Sequence, residues 1–275
     1  MTDSAAEPAP RLPDELRPWI AETGTGTSTS TSTSTSTEDT DPPKVFVRLP
    51  DSATKLLVRT EGTGRPALLV SGPRVRATYH RGKPSVSCTE FRLPPGTVRA
   101  VLGVPAVELV GRVVPLGALP GRTARQLAYE LGRLDHEDAV ARLTDLLPDR
   151  LPTPAGGTRH ALLRAAVTAL SVRSDRIPGQ VGDVARELAV SERQLRNLFS
   201  DGVGLSPKHY ARIDRVRAVL AHADELRWAD LAVVTGYYDQ SHMTSDFRAL
   251  MGVPPRSYFT GRLPAPGSCQ AIDSL

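Results

Sequence analysis

At 275 residues the chain is long enough for two ordinary domains, and its 40% apolar and 23% charged residues describe a globular protein. The 34 basic and 30 acidic residues leave a net charge of only +4, so charge alone does not point to nucleic acid. Two cysteines, Cys88 and Cys269, exclude a disulfide framework and an all-cysteine zinc site, and no run reaches the roughly 18–20 apolar residues of a membrane helix. The opening stretch MTDSAAEPAPRLPDEL has neither the basic flank nor the apolar core of a secretory signal, which makes a cytoplasmic location the expectation.

Residues 1–43 centre on a Thr/Ser alternation from Thr27 to Thr37 with no apolar face to bury, so they are expected to be disordered. From Lys44 the pattern changes. Val45, Val47 and Leu49 alternate with Phe46 and Arg48, and Val75, Ala77 and Tyr79 alternate with Arg76, Thr78 and His80. With Lys55–Thr60, Pro66–Ser71 and Ser85–Leu93, this predicts five or six antiparallel strands in a small sheet or half-barrel. Pro94, Pro95 and Gly96 end it, and Thr97–Gly103 reads as a short helix. Over 121–148, Leu127, Leu131, Leu134, Val140, Leu143 and Leu147 form a helical stripe, which suits packing on the same domain or a dimerisation helix. Residues 149–158 (DRLPTPAGGT) read as a Pro/Gly linker and the domain boundary.

After the linker two helix pairs share one layout. The first is Val181–Ala189, a tight turn, then Glu192–Ser200. Ser191 with Gln194 forms a capping box, Leu195, Leu198 and Phe199 bury one side, and Arg193, Gln194, Arg196 and Asn197 face outward. A short helix, a turn and a second helix with Arg, Gln and Asn exposed is the layout of a helix-turn-helix, and these side chains suit base edges. The second pair is Trp228–Thr235, Gly236–Tyr238 and Asp239–Met251, with Val233, Val234, Met243, Phe247 and Leu250 as its apolar stripe. Gln240, Ser241, His242, Thr244, Ser245 and Arg248 are left on its other faces. Between the pairs, Ser206–Asp224 predicts a connecting helix roughly 25–30 Å long. The fold class expected is therefore α+β: a small β-rich half-barrel over 44–120, a helical extension and linker over 121–158, an all-α unit with two helix-turn-helix pairs over 159–263, and a flexible tail over 264–275.

The stretch DVARELAVSERQLRNLFSDGVGLSPKHYARIDRVRAVL, followed by WADLAVVTGYYDQSHMTSDFRALMGVPPRSY, closely resembles the AraC/XylS family of transcriptional regulators over roughly residues 160–262. The resemblance implies double-stranded promoter or operator DNA as the partner. It implies DNA contacts for Arg193, Arg196 and Asn197 in the first recognition helix, and for Gln240, Ser241, His242, Thr244 and Ser245 in the second. One position departs from the family pattern. Relatives usually have Arg two residues before the Phe, whereas here Ser245 stands there with Asp246 beside it, which shifts the expected affinity toward the first helix. Arg248 reads as a phosphate contact or as the partner of an acidic neighbour. Trp228, Phe199, Phe247 and Tyr258 read as core residues.

The N-terminal half is similar to the cupin-like companion domain of some actinobacterial members, on Leu49-Pro50-Asp51, Phe91-Arg92, Leu102-Gly103-Val104-Pro105 and Val113-Val114-Pro115-Leu116. That implies sensing of a small-molecule effector or formation of a homodimer, with RNA polymerase a further candidate partner. No cofactor is expected. His80 and His136 stand apart from any carboxylate cluster, so no metal is expected either. Two rival readings use Cys88 in SVSCTEF, one as the nucleophile of a DNA-alkylation repair methyltransferase and one as a redox sensor. The sequence places no Cys or His partner beside Cys88 to activate it, so an enzyme is not expected.

Overall fold

The structure is a computed structural model that describes residues 45–61, 64–81, 86–151, 157–173, 177–223 and 225–267. The segment 1–43, the middle of the linker and the end of the tail with Cys269 lie outside the described residues.

The N-terminal half is built on strands β1 (Val45–Arg48), β2 (Lys55–Glu61), β3 (Ala67–Ser71), β4 (Thr78–Arg81), β5 (Val86–Arg92) and β6 (Val113–Pro115). β1 and β4 pair antiparallel, and the other four form an antiparallel sheet in the order β5-β2-β3-β6. Alternation makes one face of this sheet apolar, because Leu56 of β2 sits opposite Val70 on one side and Phe91 on the other. Three helices, α1 (Val98–Leu102), α2 (Arg122–Leu131) and α3 (His136–Arg150), supply the side chains that cover it, among them Val101, Leu102, Leu127, Leu131 and Leu143. The leucine stripe of 121–148 is thus buried in its own half, and it is carried by two helices rather than one. The break has a local cause: Asp135 accepts the Asp138 N–H at 2.9 Å, which starts a new helix where the old one has ended. At the head of α3 the His136 ring meets the Thr60 and Thr89 hydroxyls at 3.0 and 3.2 Å, tying the helix to β2 and β5.

Two details of the sheet differ from the alternation pattern. Val113–Pro115 pairs with β3 as a strand too short for periodicity to reveal. The expected strand 74–80 begins only at Thr78. Residues 74–77 belong to no strand and bend at Arg76, and they bond elsewhere: Arg74 exchanges backbone hydrogen bonds with Asp51, and the Ala77 N–H donates to the Leu250 carbonyl at 2.8 Å. Their alternating side chains, Val75 and Ala77, pack on the core of the C-terminal half instead of a sheet.

That second core is all-α: α4 (Gly157–Leu170), α5 (Val181–Glu187), α6 (Glu192–Gly202), α7 (Pro207–His222), α8 (Trp228–Val234), α9 (Gln240–Met251) and α10 (Pro255–Phe259). Phe199 and Phe247 are its largest fully buried side chains, joined by Leu195, Ile213 and Leu231. The two halves touch directly. At the end of α6 the Gly96 N–H donates to the Gly202 carbonyl at 2.8 Å, and Arg99 pairs with Asp201 at 2.6 Å. At the end of α9 the Tyr79 hydroxyl donates to the Met251 carbonyl at 2.6 Å. On α7, the Arg217 guanidinium donates to the Pro50 carbonyl at 2.8 Å.

Candidate nucleic-acid interface

The first helix pair is α5 and α6. Ser191 caps α6 reciprocally: its Oγ accepts the Gln194 N–H at 3.1 Å, while its own N–H donates to Gln194 Oε1 at 2.8 Å. With the helix start pinned, the 3.6-residue period decides the rest. Leu195, Leu198 and Phe199 turn into the core, and Arg193, Gln194, Arg196 and Asn197 remain exposed on the opposite arc. Arg196 is steadied along the helix by a long hydrogen bond from its Nε to the Glu192 carbonyl at 3.3 Å. The turn between the helices holds Ala189 at φ 52, a left-handed conformation that an L side chain adopts at a cost of roughly 1–2 kcal/mol. Ala189 is exposed, so replacing it by glycine is expected to raise stability by about 0.5–1 kcal/mol. A urea melt in which Ala189→Gly is neutral or destabilised would contradict this.

The second pair, α8 and α9, repeats the turn bond for bond. Val190 N–H donates to Ala185 and Tyr237 N–H to Ala232, and Gly236 at φ 77 takes the place of Ala189, each pair 47 residues apart. The caps, Ser191 and Asp239, are 48 apart. The extra residue is Tyr238, which is 92% exposed in the turn. Asp239 then caps α9 by accepting the His242 N–H at 2.7 Å. Gln240, Ser241, His242, Ser245 and Arg248 are exposed and Thr244 is half-buried. The His242 ring packs edge-on against buried Tyr237, with centroids 5.3 Å apart.

Two side chains lie differently from the sequence reading. Val233, expected in the apolar stripe, is 58% exposed, and Leu231 and Ala232 fill the core instead. Asp246, expected to weaken contacts beside Ser245, is buried and paired with Arg212 of α7 at 2.8 Å. It sits where α6 has Leu198, one turn position inward, so its charge is neutralised beneath the helix and does not face outward. Arg215 adds a second tie between α7 and this pair, donating to the Gly236 carbonyl at 3.4 Å and covering the Tyr237 ring at 4.9 Å. Arg248 has no acidic partner among the described residues.

Around Cys88, burial outweighs the nearby Arg59, Arg48 and Lys55. Burial pushes its thiol up, with the Glu90 carboxylate adding in the same direction, so the thiolate is disfavoured. Among the described residues no group of three or more His, Cys, Asp or Glu side chains is placed to hold a metal ion, and no helix is long and apolar enough to cross a membrane.

A helix-turn-helix domain family matches residues 184–261, from the second turn of α5 through α10, and so spans both pairs. Residues 184–261 of this chain thus form a helix-turn-helix domain. No curated protein matches the chain. Among solved structures it is similar to the C-terminal domain of AraT, a response regulator from Geobacillus stearothermophilus, at 21% identity and a TM-score of 0.35, over 42% of this chain and 98% of that one. It is also similar to unsaturated fatty acid-bound ToxT from Vibrio cholerae strain SCE256, at 12% identity and a TM-score of 0.39, over 81% of this chain and 94% of that one. The helix-turn-helix domain presents two exposed arcs of unequal charge. Arg193 and Arg196 correspond, 48 residues on, to Ser241 and Thr244. The sequence reading passed over two residues beside the second arc, Tyr238 and Arg76. An unpaired extra residue in the repeated turn is the signal for Tyr238, whereas no local pattern marks Arg76.

Proposed function

We propose that the chain is a sequence-specific regulator that reads double-stranded DNA with α6 and α9 in successive major grooves. The observation that carries this reading is the exposed arc of Arg193, Gln194, Arg196 and Asn197 on a capped second helix, repeated on α9. Arg bidentate to guanine and Asn or Gln to adenine are the matching chemistries. α7, which carries both pairs, has 16 residues and is about 24 Å long. That scale suits grooves recurring at about 34 Å. With two cations on its arc, α6 contributes the larger share of affinity and α9 the smaller. The N-terminal half, docked on the ends of both helices, is read as regulatory, acting through a small-molecule effector or a second copy of the chain. It binds and positions; the raised Cys88 thiol argues against both the repair-enzyme and the redox-sensor reading.

The test is selection of duplexes from a randomised library by the full chain. The expected motif has two half-sites about 10–10.5 base pairs apart. Arg196→Ala is expected to lose about 1–3 kcal/mol on the selected duplex and to relax one base position. An unchanged affinity and motif for this variant would remove α6 as the reading helix.

A further inference from the structure

The exposed arc of α9 is short of positive charge, yet an open groove of about 630 Å³ beside it is lined by cations from two different halves of the chain. Arg248 comes from α9 itself, and Arg76 comes from the N-terminal half, with Ala77, Tyr79, Ser245 and Gly252 between and around them. Among the described residues no carboxylate lines this groove. Both arginines are exposed, and neither has an ion-pair partner among the described residues. Ser245 and Arg248 belong at once to the groove and to the outward arc that includes Ser241, because positions i, i+4 and i+7 share a helix face. The groove therefore opens on the same side as the candidate DNA face.

The backbone around Arg76 is held from both directions. Two residues before it, Arg74 exchanges two backbone hydrogen bonds with Asp51 at 2.7 and 2.8 Å. One residue after it, the Ala77 N–H is bound to the Leu250 carbonyl at 2.8 Å, and three residues after it the Tyr79 hydroxyl is bound to the Met251 carbonyl. The exposed side chain between these anchors is carried on a backbone already fitted to the end of α9. A guanidinium that lines one groove with a second one, with no ion-pair partner among the described residues, has the chemistry of a phosphate contact.

We infer that Arg76, a residue of the N-terminal half, is a DNA-phosphate contact that flanks the second half-site and supplies with Arg248 the charge missing from α9. This rests on the regulator reading above. It means that the N-terminal half is part of the DNA-binding surface and that docking of the two halves is coupled to affinity. Contact with a phosphate carries no sequence information, so it changes strength and salt dependence without changing the motif.

The experiment measures binding of the full chain and its Arg76→Ala, Arg76→Lys and Arg196→Ala variants to the duplex selected above, by fluorescence anisotropy across a salt series. Arg76→Ala is expected to weaken binding about 3–10-fold near physiological salt, to reduce the slope of log affinity against log salt by about 0.9, and to leave the selected motif unchanged. Arg76→Lys is expected to restore the slope. An unchanged slope and affinity for Arg76→Ala, with Arg196→Ala still impaired, would overturn the inference while leaving the regulator reading intact. Tighter binding by Arg76→Ala would also overturn it, since the N-terminal half would then be covering the α9 face rather than extending it. Failure to select any duplex, or silence of all three variants, would instead sink the regulator reading. Because Arg76 is exposed, melting curves for its variants are expected to coincide with that of the parent chain.

Discussion

Replacing Asp51 by alanine is expected to destabilise the chain by about 3–5 kcal/mol, the largest effect of any single carboxylate in the structure. Asp51 is 4% exposed and receives Arg92 in a two-pronged pair at 2.9 and 3.1 Å, Lys55 at 2.8 Å and Arg217 of α7 at 3.7 Å. Its Oδ1 also accepts the Ala53 N–H at 3.0 Å. Removal leaves three cations facing one another in a site that water enters poorly, which is why the loss exceeds that of a surface pair. The cluster also straddles the junction between the halves. Burial on its own would raise the Asp51 pKa, but Arg92, Lys55 and Arg217 outweigh it and hold the carboxyl well below the usual carboxylate range. A depressed folded-state value fixes the sign: the stabilisation is complete above the ordinary carboxylate value of about 4 and is lost as pH falls from there through the folded value. Melting temperatures from pH 7 to pH 3 are therefore expected to fall more steeply for the parent chain than for Asp51→Ala. Parallel acid limbs, or a variant that melts with the parent at pH 7, would refute the assignment.

The second large effect is expected at Gly204, just beyond α6. Its φ of 89 lies in the left-handed region, and a Cβ there would stand 2.7 Å from the Ala106 carbonyl oxygen of the N-terminal half and 3.1 Å from Val110 Cγ2. Gly204→Ala combines backbone strain with a clash against backbone that cannot yield, for about 2–4 kcal/mol in all. Gly111→Ala is the control, because its φ is 70 but nothing lies within 4 Å of the added methyl, so only the backbone cost of about 1 kcal/mol applies. Urea melts of the two variants separate the terms. Equal losses would mean that the first helix pair is not pressed against the N-terminal half at this point.

Both effects concern a junction that no stretch of sequence announces. Local sequence signals suffice where the interactions span a few residues. Ser191 with Gln194, Ser206 with the His209 amide, and Asp239 with the His242 amide are all capping contacts within three positions, and each marks the start of a helix. The apolar spacing of Leu195, Leu198 and Phe199 places Arg193, Arg196 and Asn197 outside, because a pinned start and a fixed period leave no other choice. The alternation of Val75, Ala77 and Tyr79 was equally legible as an extended segment, but its partner was not. A backbone donor such as the Ala77 N–H can serve a strand or a helix end, and here it goes to Leu250, while the Tyr79 hydroxyl reaches Met251, 172 residues away.

Amino-acid order by itself thus determined the two capped helix pairs, their outward side chains and the apolar face of the N-terminal strands, all through contacts with nearest neighbours along the chain. Tertiary structure alone decided that Asp246 lies beneath α9 against Arg212, that Asp51 gathers Lys55, Arg92 and Arg217, and that Arg76 stands beside Arg248. These are meetings of charges far apart in sequence, and a charge carries no period that reveals which opposite charge it will find.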